Sequence, residues 1–373
     1  MRIGYKSGKQ EQEQYLRQQA VAHPVMEPGD VYKMLYQAVY GAEHLLKDVE
    51  SARKYFQEEY EEVIPRDEEE PLWEQIGTEV YRVNLRVWKK KNLPPEWLFF
   101  MFVGSVEMSN ECYGDGIEVT KQEKEQEFFQ YIDMAYSLAE EGFFPFSAEE
   151  FAKYSEEYQK EGPRAVHHSE KYRRGEHPSY RLVNGRFLRL IPILEALENQ
   201  KREGSKKVIV AIDGRCASGK STMAAMLSRI VGASVIHMDD FYLPATMRTE
   251  ERLAQPGGNV HRERFLEEVM PGLEAGEGFT YRRFDCRTMD LGEERKVKKA
   301  WAYVVEGAYS HHPELGKYAD IKVFSHVEYG EQLRRIEERD GGRCLPMFKE
   351  RWIPFEEKYF TAYSIREKAD MVL

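Results

Sequence analysis

The sequence predicts an α/β fold for residues 205–373, a parallel sheet with helices on both faces, preceded by a mostly α-helical domain over residues 1–198. Three observations carry this. Short β-branched runs alternate with helix-like segments through the second part, the pattern of a parallel sheet covered on both sides. The first of these runs, residues 208–212, leads into a loop bounded by two glycines and then into a helix. The first 198 residues instead space their apolar positions by three and four, as helices do.

In chain order, the first twenty residues are polar and helix-like, without the apolar core of a secretion signal. Residues 31–46 follow with Val31, Leu35, Ala38, Val39, Ala42, Leu45 and Leu46 on one face, and residues 47–63 continue as a charged amphipathic helix. Pro95 is suited to a first helical turn, so a helix is expected from Glu96. Residues 123–139 are again helical. Ser147 followed by Glu150 has the form of an N-cap with its capping box. Residues 187–199 close the domain as one helix. The segment 199–206, short and polar with Gly204, marks the expected break. Beyond it, strands are expected at 207–213, 234–238, 301–306, 320–325 and 369–373, with helices starting near 221, 262, 328 and 346.

Composition sets outer limits. A hydrophobic fraction of 42% and a charged fraction of 32% are ordinary for a water-soluble chain. The longest apolar stretch, residues 97–103, is too short to span a bilayer. Cys112, Cys216, Cys286 and Cys344 are scattered without a C-x-x-C pair, which fits a reducing cytoplasm and suggests neither a disulfide frame nor a thiolate zinc site. Residues 1–200 hold 25 Lys and Arg against 37 Asp and Glu, while the remainder is nearly balanced. An acidic first half argues against nucleic acid as a partner, because phosphate neutralisation needs a basic face. No membrane association is expected; self-association is left open.

The loop after the first strand reads Gly214-Arg215-Cys216-Ala217-Ser218-Gly219-Lys220-Ser221, the G-x-x-x-x-G-K-[ST] pattern of a P-loop NTPase. Gly214 and Gly219 allow backbone angles that side chains forbid, so the N–H groups through Ala217, Ser218, Gly219 and into Thr222 can curl around phosphate oxygens. Lys220 supplies a point charge between the outer phosphates, and the Ser221 hydroxyl is placed to ligate Mg²⁺. The following helix adds its positive end. ATP and Mg²⁺ are the ligands this pattern implies.

After the second strand comes His237-Met238-Asp239-Asp240-Phe241-Tyr242. A carboxylate at the carboxyl end of a strand beside the loop reaches the ligand crevice, where it can take a proton from an attacking hydroxyl. Glu306 ends another strand and can complete a magnesium shell with Ser221 and Asp239, partly through waters. Arg334, Arg335, Arg339 and Arg343 precede or flank Asp340-Gly341-Gly342, the makings of a lid whose guanidinium groups neutralise a transferring phosphate.

Taken together, GRCASGKS, the MDDFY run, PGGNVHRERF at 256–265, the strand VVEG, the arginine-rich segment with Arg339-Asp340 and the final ADMVL make residues 205–373 resemble the uridine kinase family of P-loop nucleoside kinases, relatives of phosphoribulokinase and pantothenate kinase. The resemblance implies Asp239 as the base for the acceptor hydroxyl and Ser221, Asp239 and Glu306 as the magnesium environment. Asp240, Tyr242 and His261 are the residues expected at the acceptor pocket, and Arg335 and Arg339 are lid arginines. Two departures stand out. His261 occupies the place where the family usually carries an Asp for the sugar hydroxyls. Residues 281–288, YRRFDCRT, lack the His of the family's pyrimidine-reading loop. The resemblance therefore supports phosphotransfer chemistry more strongly than uridine or cytidine as the acceptor.

The first domain carries His23, Glu43, His44, Arg82, Asn84, Arg86, His168, Ser169, Tyr172, Tyr180 and Arg181 among its notable polar residues, within fragments resembling bacterial proteins without an assigned activity. Arg82, Asn84 and Arg86 alternate as on one face of a strand. Its tyrosines, such as Tyr32, Tyr36 and Tyr40, are expected in the core. Three readings of the whole chain compete: an ATP-dependent kinase for a small-molecule alcohol such as a nucleoside, pantothenate or a sugar; an ATP-binding regulatory module; and a bifunctional enzyme.

Overall fold

The computed structural model of the 373-residue chain describes residues 5–42, 46, 48–66, 69–110, 120–285 and 287–373. Glu43, His44, Cys112 and Cys286 lie outside these described residues. The chain divides into two compact units, Met1–Leu188 and Arg189–Leu373. The division precedes the expected break at 199–206, because the single helix expected over 187–199 is two. Gly185–Leu188 ends the first unit, and Ile191–Arg202 opens the second with a proline in its first turn. A proline lacks the N–H that an uninterrupted helix would need there. Ile191, Ile193, Leu194 and Leu197 of this helix are buried.

In the first unit the expected helices form, at Tyr5–Ala22, Pro28–Tyr40, Val49–Glu62, Pro95–Asn110, Lys121–Glu140 and Ala148–Gln159. Asp48 caps the third by accepting from Ser51 N, and Ser147 with Glu150 forms the expected capping box. The aromatic residues make the core: Tyr32 packs against Phe128, Phe151 and Tyr158 with ring centroids 4.5–6.2 Å apart. The unit also holds a three-stranded antiparallel sheet, β1 (Trp73–Gly77), β2 (Val80–Asn84) and β3 (Tyr180–Asn184), with β2 in the middle. Arg82 and Asn84 lie on β2. Arg86 does not: Asn84 accepts from the N–H groups of Arg86 and Val87 and so starts the helix Leu85–Lys90.

The second unit is built on a parallel sheet whose order is β10-β9-β4-β8-β5, from strands β4 (Val208–Gly214), β5 (Ser234–His237), β8 (Ala302–Glu306), β9 (Ile321–Ser325) and β10 (Met371–Val372). Helices flank it. All seven residues of the central β4 are buried, as expected of a strand covered on both faces. A hairpin of β6 (Phe279–Asp285) and β7 (Asp290–Val297) stands apart from this sheet. Because β4, β8 and β5 are neighbours and parallel, their carboxyl ends converge. Glu306 is paired in register with Ile212 on one side and His237 on the other.

Candidate active site at the carboxyl ends of the parallel strands

The loop between β4 and the helix Lys220–Val231 has the backbone its glycines permit. Gly214 has φ 134°, and a Cβ there would stand 2.1 Å from the Ser325 carbonyl oxygen. Gly219 has φ 93° and caps the helix, and Ala217 adopts φ 58° between them. Met223 N makes the first bond of the helix, to Gly219 O, so the N–H groups of Lys220, Ser221 and Thr222 are the free donors of its first turn. The Ser218 hydroxyl is buried without a hydrogen-bond partner among the described residues. Lys220, 8% exposed, donates to the Gly214 and Arg215 carbonyls at 2.8 Å each. Free N–H donors, an unpartnered hydroxyl and a buried ammonium fit a polyphosphate.

Ser221 Oγ lies 3.1 Å from each carboxylate oxygen of the buried Glu306. His237, at the end of β5, places Nδ1 2.6 Å from Glu306 Oε1, and that hydrogen bond raises its pKa. Two residues on, Asp239 is accessible to solvent but hemmed in by protein, and accepts from the Tyr242 hydroxyl at 3.0 Å. Desolvation, then the charge of Glu306, raise its pKa, while Lys220 opposes them. Tyr242 in turn borders a small hollow with Asn259, Trp352 and Phe355.

The other expected residues divide. Asp240 is buried and turned toward the hairpin, accepting from the Tyr281 hydroxyl at 2.9 Å with Arg283 and Arg295 nearby. His261 caps the helix Arg262–Glu268, its Nδ1 accepting from Arg264 N at 3.2 Å. Arg335, on the helix Tyr329–Asp340, reaches the loop and donates to the Ala217 carbonyl at 3.3 Å. Arg339 pairs with Asp340, whereas Arg334 is occupied by Glu331 and Glu338.

Three neighbours were not anticipated. Asp213 is fully buried and accepts from the N–H groups of Gly214, Tyr309 and His311 and from the Tyr359 hydroxyl. It ties β4 to the segment after β8. A carboxylate in an otherwise apolar strand was its signal. Glu356, buried on the helix Ile353–Tyr363, accepts from Cys216 N at 2.9 Å. Burial pushes its pKa up to about 7 although Lys220 opposes this. Burial also pushes the Cys216 thiol up to about 12, which disfavours the thiolate. His237 is the third. Nothing in sequence spacing connects Glu356 to a loop 140 residues away. A separate cavity of about 570 Å³, lined in part by Lys207, Leu266, Tyr318 and Asp320, opens at the amino ends of β4 and β9, away from this cluster.

No protein-family model and no curated protein matches the chain. Among solved structures, it is similar to a protein described as a possible uridine kinase from Bacillus stearothermophilus, with 20% identity over 48% of this chain and 99% of that one and a TM-score of 0.34. It is also similar to a candidate fructose transport system kinase from Silicibacter sp. TM1040, with 20% identity over 48% of this chain and 95% of that one and a TM-score of 0.36. Among the described residues no helix is long and apolar enough to cross a membrane.

Proposed function

We propose that the second unit is an ATP-dependent phosphotransferase that moves a γ-phosphate to the hydroxyl of a small molecule, with a nucleoside 5′-hydroxyl as the leading acceptor. The observation that carries this is Asp239. It is a solvent-reachable carboxylate with a raised pKa, beside a phosphate-binding loop and oriented by a tyrosine hydroxyl. A nucleotide sensor needs no such base on the acceptor side.

The chain's own residues supply each requirement. The loop N–H groups and Lys220 hold the phosphates and neutralise charge as it develops. Asp239 accepts the proton of the acceptor hydroxyl while that oxygen bonds to the γ-phosphorus and the bond to the bridging oxygen breaks, leaving ADP. The proton then passes to solvent. Arg335, which donates to the Ala217 carbonyl of the loop, would offset charge on the transferring group. Ser221, Glu306 and Asp239 are hard oxygen donors of the kind Mg²⁺ takes. Among the described residues no three acidic, His or Cys side chains are grouped as a metal site, so phosphate oxygens and waters would complete the shell. Magnesium, when bound, supplies further charge neutralisation at the phosphates. The departure at His261 leaves pantothenate or a sugar as the alternative acceptor.

A coupled ADP-release assay over nucleosides, pantothenate, sugars and vitamins tests this. ADP release that depends on Mg²⁺ and is stimulated by one class of alcohol is expected. Slow hydrolysis that no acceptor stimulates would instead favour the regulatory module.

A further inference from the structure

The first unit gathers several of its notable polar residues against the Arg82 face of its small sheet. Arg86 and Arg181 are matched by carboxylates: Arg86 Nη2 lies 2.9 Å from Glu70, and Arg181 Nη2 lies 2.7 Å from Glu59. Arg82 is different. It is 3% exposed, and its hydrogen bonds go to neutral amide oxygens, Nε and Nη2 to Gln37 at 3.2 and 2.8 Å and Nη1 to Gln19 at 3.3 Å. Among the described residues no carboxylate pairs with it at salt-bridge distance. Its guanidinium carbon stands 4.7 Å from the centroid of the Tyr180 ring. The Glu74 and Asp30 carboxylates act on it only at longer range, Glu74 through the bridging Gln19, so none of its N–H groups is spent on a direct ion pair with a described residue.

The Tyr180 hydroxyl is the other half of the arrangement. Asp30, 1% exposed, accepts through Oδ1 from His168 Nδ1 at 2.8 Å and Ser169 N at 3.0 Å. Its Oδ2 accepts from Glu27 N at 3.0 Å and Ser169 Oγ at 2.7 Å. A side chain surrounded by donors is a carboxylate, so the His168 proton sits on Nδ1. Burial pushes the His168 pKa down to about 4, helped by the charges of Arg82 and Lys33, so the ring is neutral. Its Nε2 is then a bare acceptor, 2.8 Å from the Tyr180 hydroxyl. Tyr172 stacks on the imidazole at 4.4 Å and holds its plane. Hydroxyl, imidazole and carboxylate thus stand in the order that activates a hydroxyl in nucleophilic enzymes. Tyr180 is half-buried, and its hydroxyl also lies 3.3 Å from Gln37 Nε2.

We propose that the first unit carries an acid–base site for a small oxyanion, in which Arg82 takes the anionic oxygen and the Tyr180 hydroxyl, through His168 and Asp30, exchanges a proton with the ligand. As the ligand gives a proton to Tyr180 Oη, the phenolic proton passes to His168 Nε2. Asp30 balances the imidazolium, and Arg82 balances the charge left on the ligand. Only bonds to protons form and break, and the return transfer restores the starting state. Tyr180 touches the ligand; His168 and Asp30 act through it as positioning residues. The charged or titratable groups facing the imidazole are Asp30 and Lys33 from one helix, Tyr172 from another, Arg82 from β2 and Tyr180 from β3, with Glu74 of β1 near the tyrosine.

Acetylation of the full chain by N-acetylimidazole, mapped by peptide mass spectrometry, tests this. At pH 7 Tyr180 is expected to react at least about tenfold faster than the exposed Tyr55, the lower range of general-base assistance. Its rate should stay nearly flat from about pH 6 to 8, where His168 remains neutral, unlike that of an unassisted phenol, which rises about tenfold per pH unit in this range. Inorganic phosphate should slow Tyr180 and leave Tyr55 alone. His168→Gln, where it folds, should bring Tyr180 to the rate of Tyr55. A Tyr180 no faster than Tyr55, one whose rate rises steeply with pH, or one indifferent to phosphate overturns the proposal. These readouts come from the unsubstituted chain, so they decide even if His168→Gln fails to fold.

Discussion

Replacing Glu356 with Gln should make the second unit more stable at pH 8 and change it little at pH 5. An ordinary glutamate in the unfolded chain ionises near 4.5, whereas burial raises Glu356 to about 7 in the folded protein. Between these values the folded state binds more protons than the unfolded state, so stability falls as pH rises from 4.5 to 7 and levels off above it. The shift of about 2.5 units corresponds to about 3.5 kcal/mol over the whole titration, at about 1.4 kcal/mol per unit, most of it falling between pH 5 and pH 8. Glutamine keeps an oxygen for Cys216 N and a similar volume but carries no proton to lose. The gain of the variant over the parent should therefore grow between pH 5 and pH 8 by up to about 3 kcal/mol. For a unit of this size that is roughly 6–12 °C in melting temperature. Differential scanning calorimetry at a series of pH values in the absence of nucleotide reads this directly. Parallel pH profiles for the two proteins would show that Glu356 is not the strained carboxylate described here.

Asp239→Asn should leave ATP binding nearly intact and lower turnover by roughly 10²-fold, the scale of a lost general base. ADP release beside a binding titration checks it, and a mild effect alongside a damaging Asp240→Asn would move the role to the neighbour. Residues 189–373 expressed alone should fold and bind ATP–Mg²⁺ within about tenfold, or about 1.4 kcal/mol, of the full chain, since the loop, the carboxylates and all five parallel strands lie within them. Calorimetric titration with a non-hydrolysable ATP analogue decides this, and an insoluble fragment would count against an independent second unit.

The parallel sheet was legible because its inner strands β4 and β8 are buried on both faces and so appear as continuous apolar runs. The phosphate loop was legible because its backbone requires glycine where Gly214 meets the Ser325 carbonyl. The hairpin β6–β7 was not: most of β7 is exposed, so its sequence carries polar residues on both faces. The small sheet of the first unit was hidden for a different reason. Glu74 and Arg82, paired in register, face a buried polar cluster, which reverses the apolar alternation that identifies a strand. Of the arginines taken as one row, Arg86 belongs to a helix because Asn84 caps it. Asp240, expected toward the acceptor, is turned to Tyr281, a contact set by a hairpin the sequence did not reveal. Glu356 meets the loop only through tertiary packing, as a glutamate within an ordinary amphipathic helix.

Lys220→Ala tests the central claim most directly. The substitution removes an ammonium held 2.8 Å from two loop carbonyls at the point where phosphate charge is to be neutralised. Acceptor-dependent ADP release should fall by 10²-fold or more, about 2.7 kcal/mol or above, while the thermal melt of the nucleotide-free protein changes little. Retention of more than about a tenth of the parent rate, with folding intact, would remove the phosphate loop from the reaction and contradict phosphotransfer at this site.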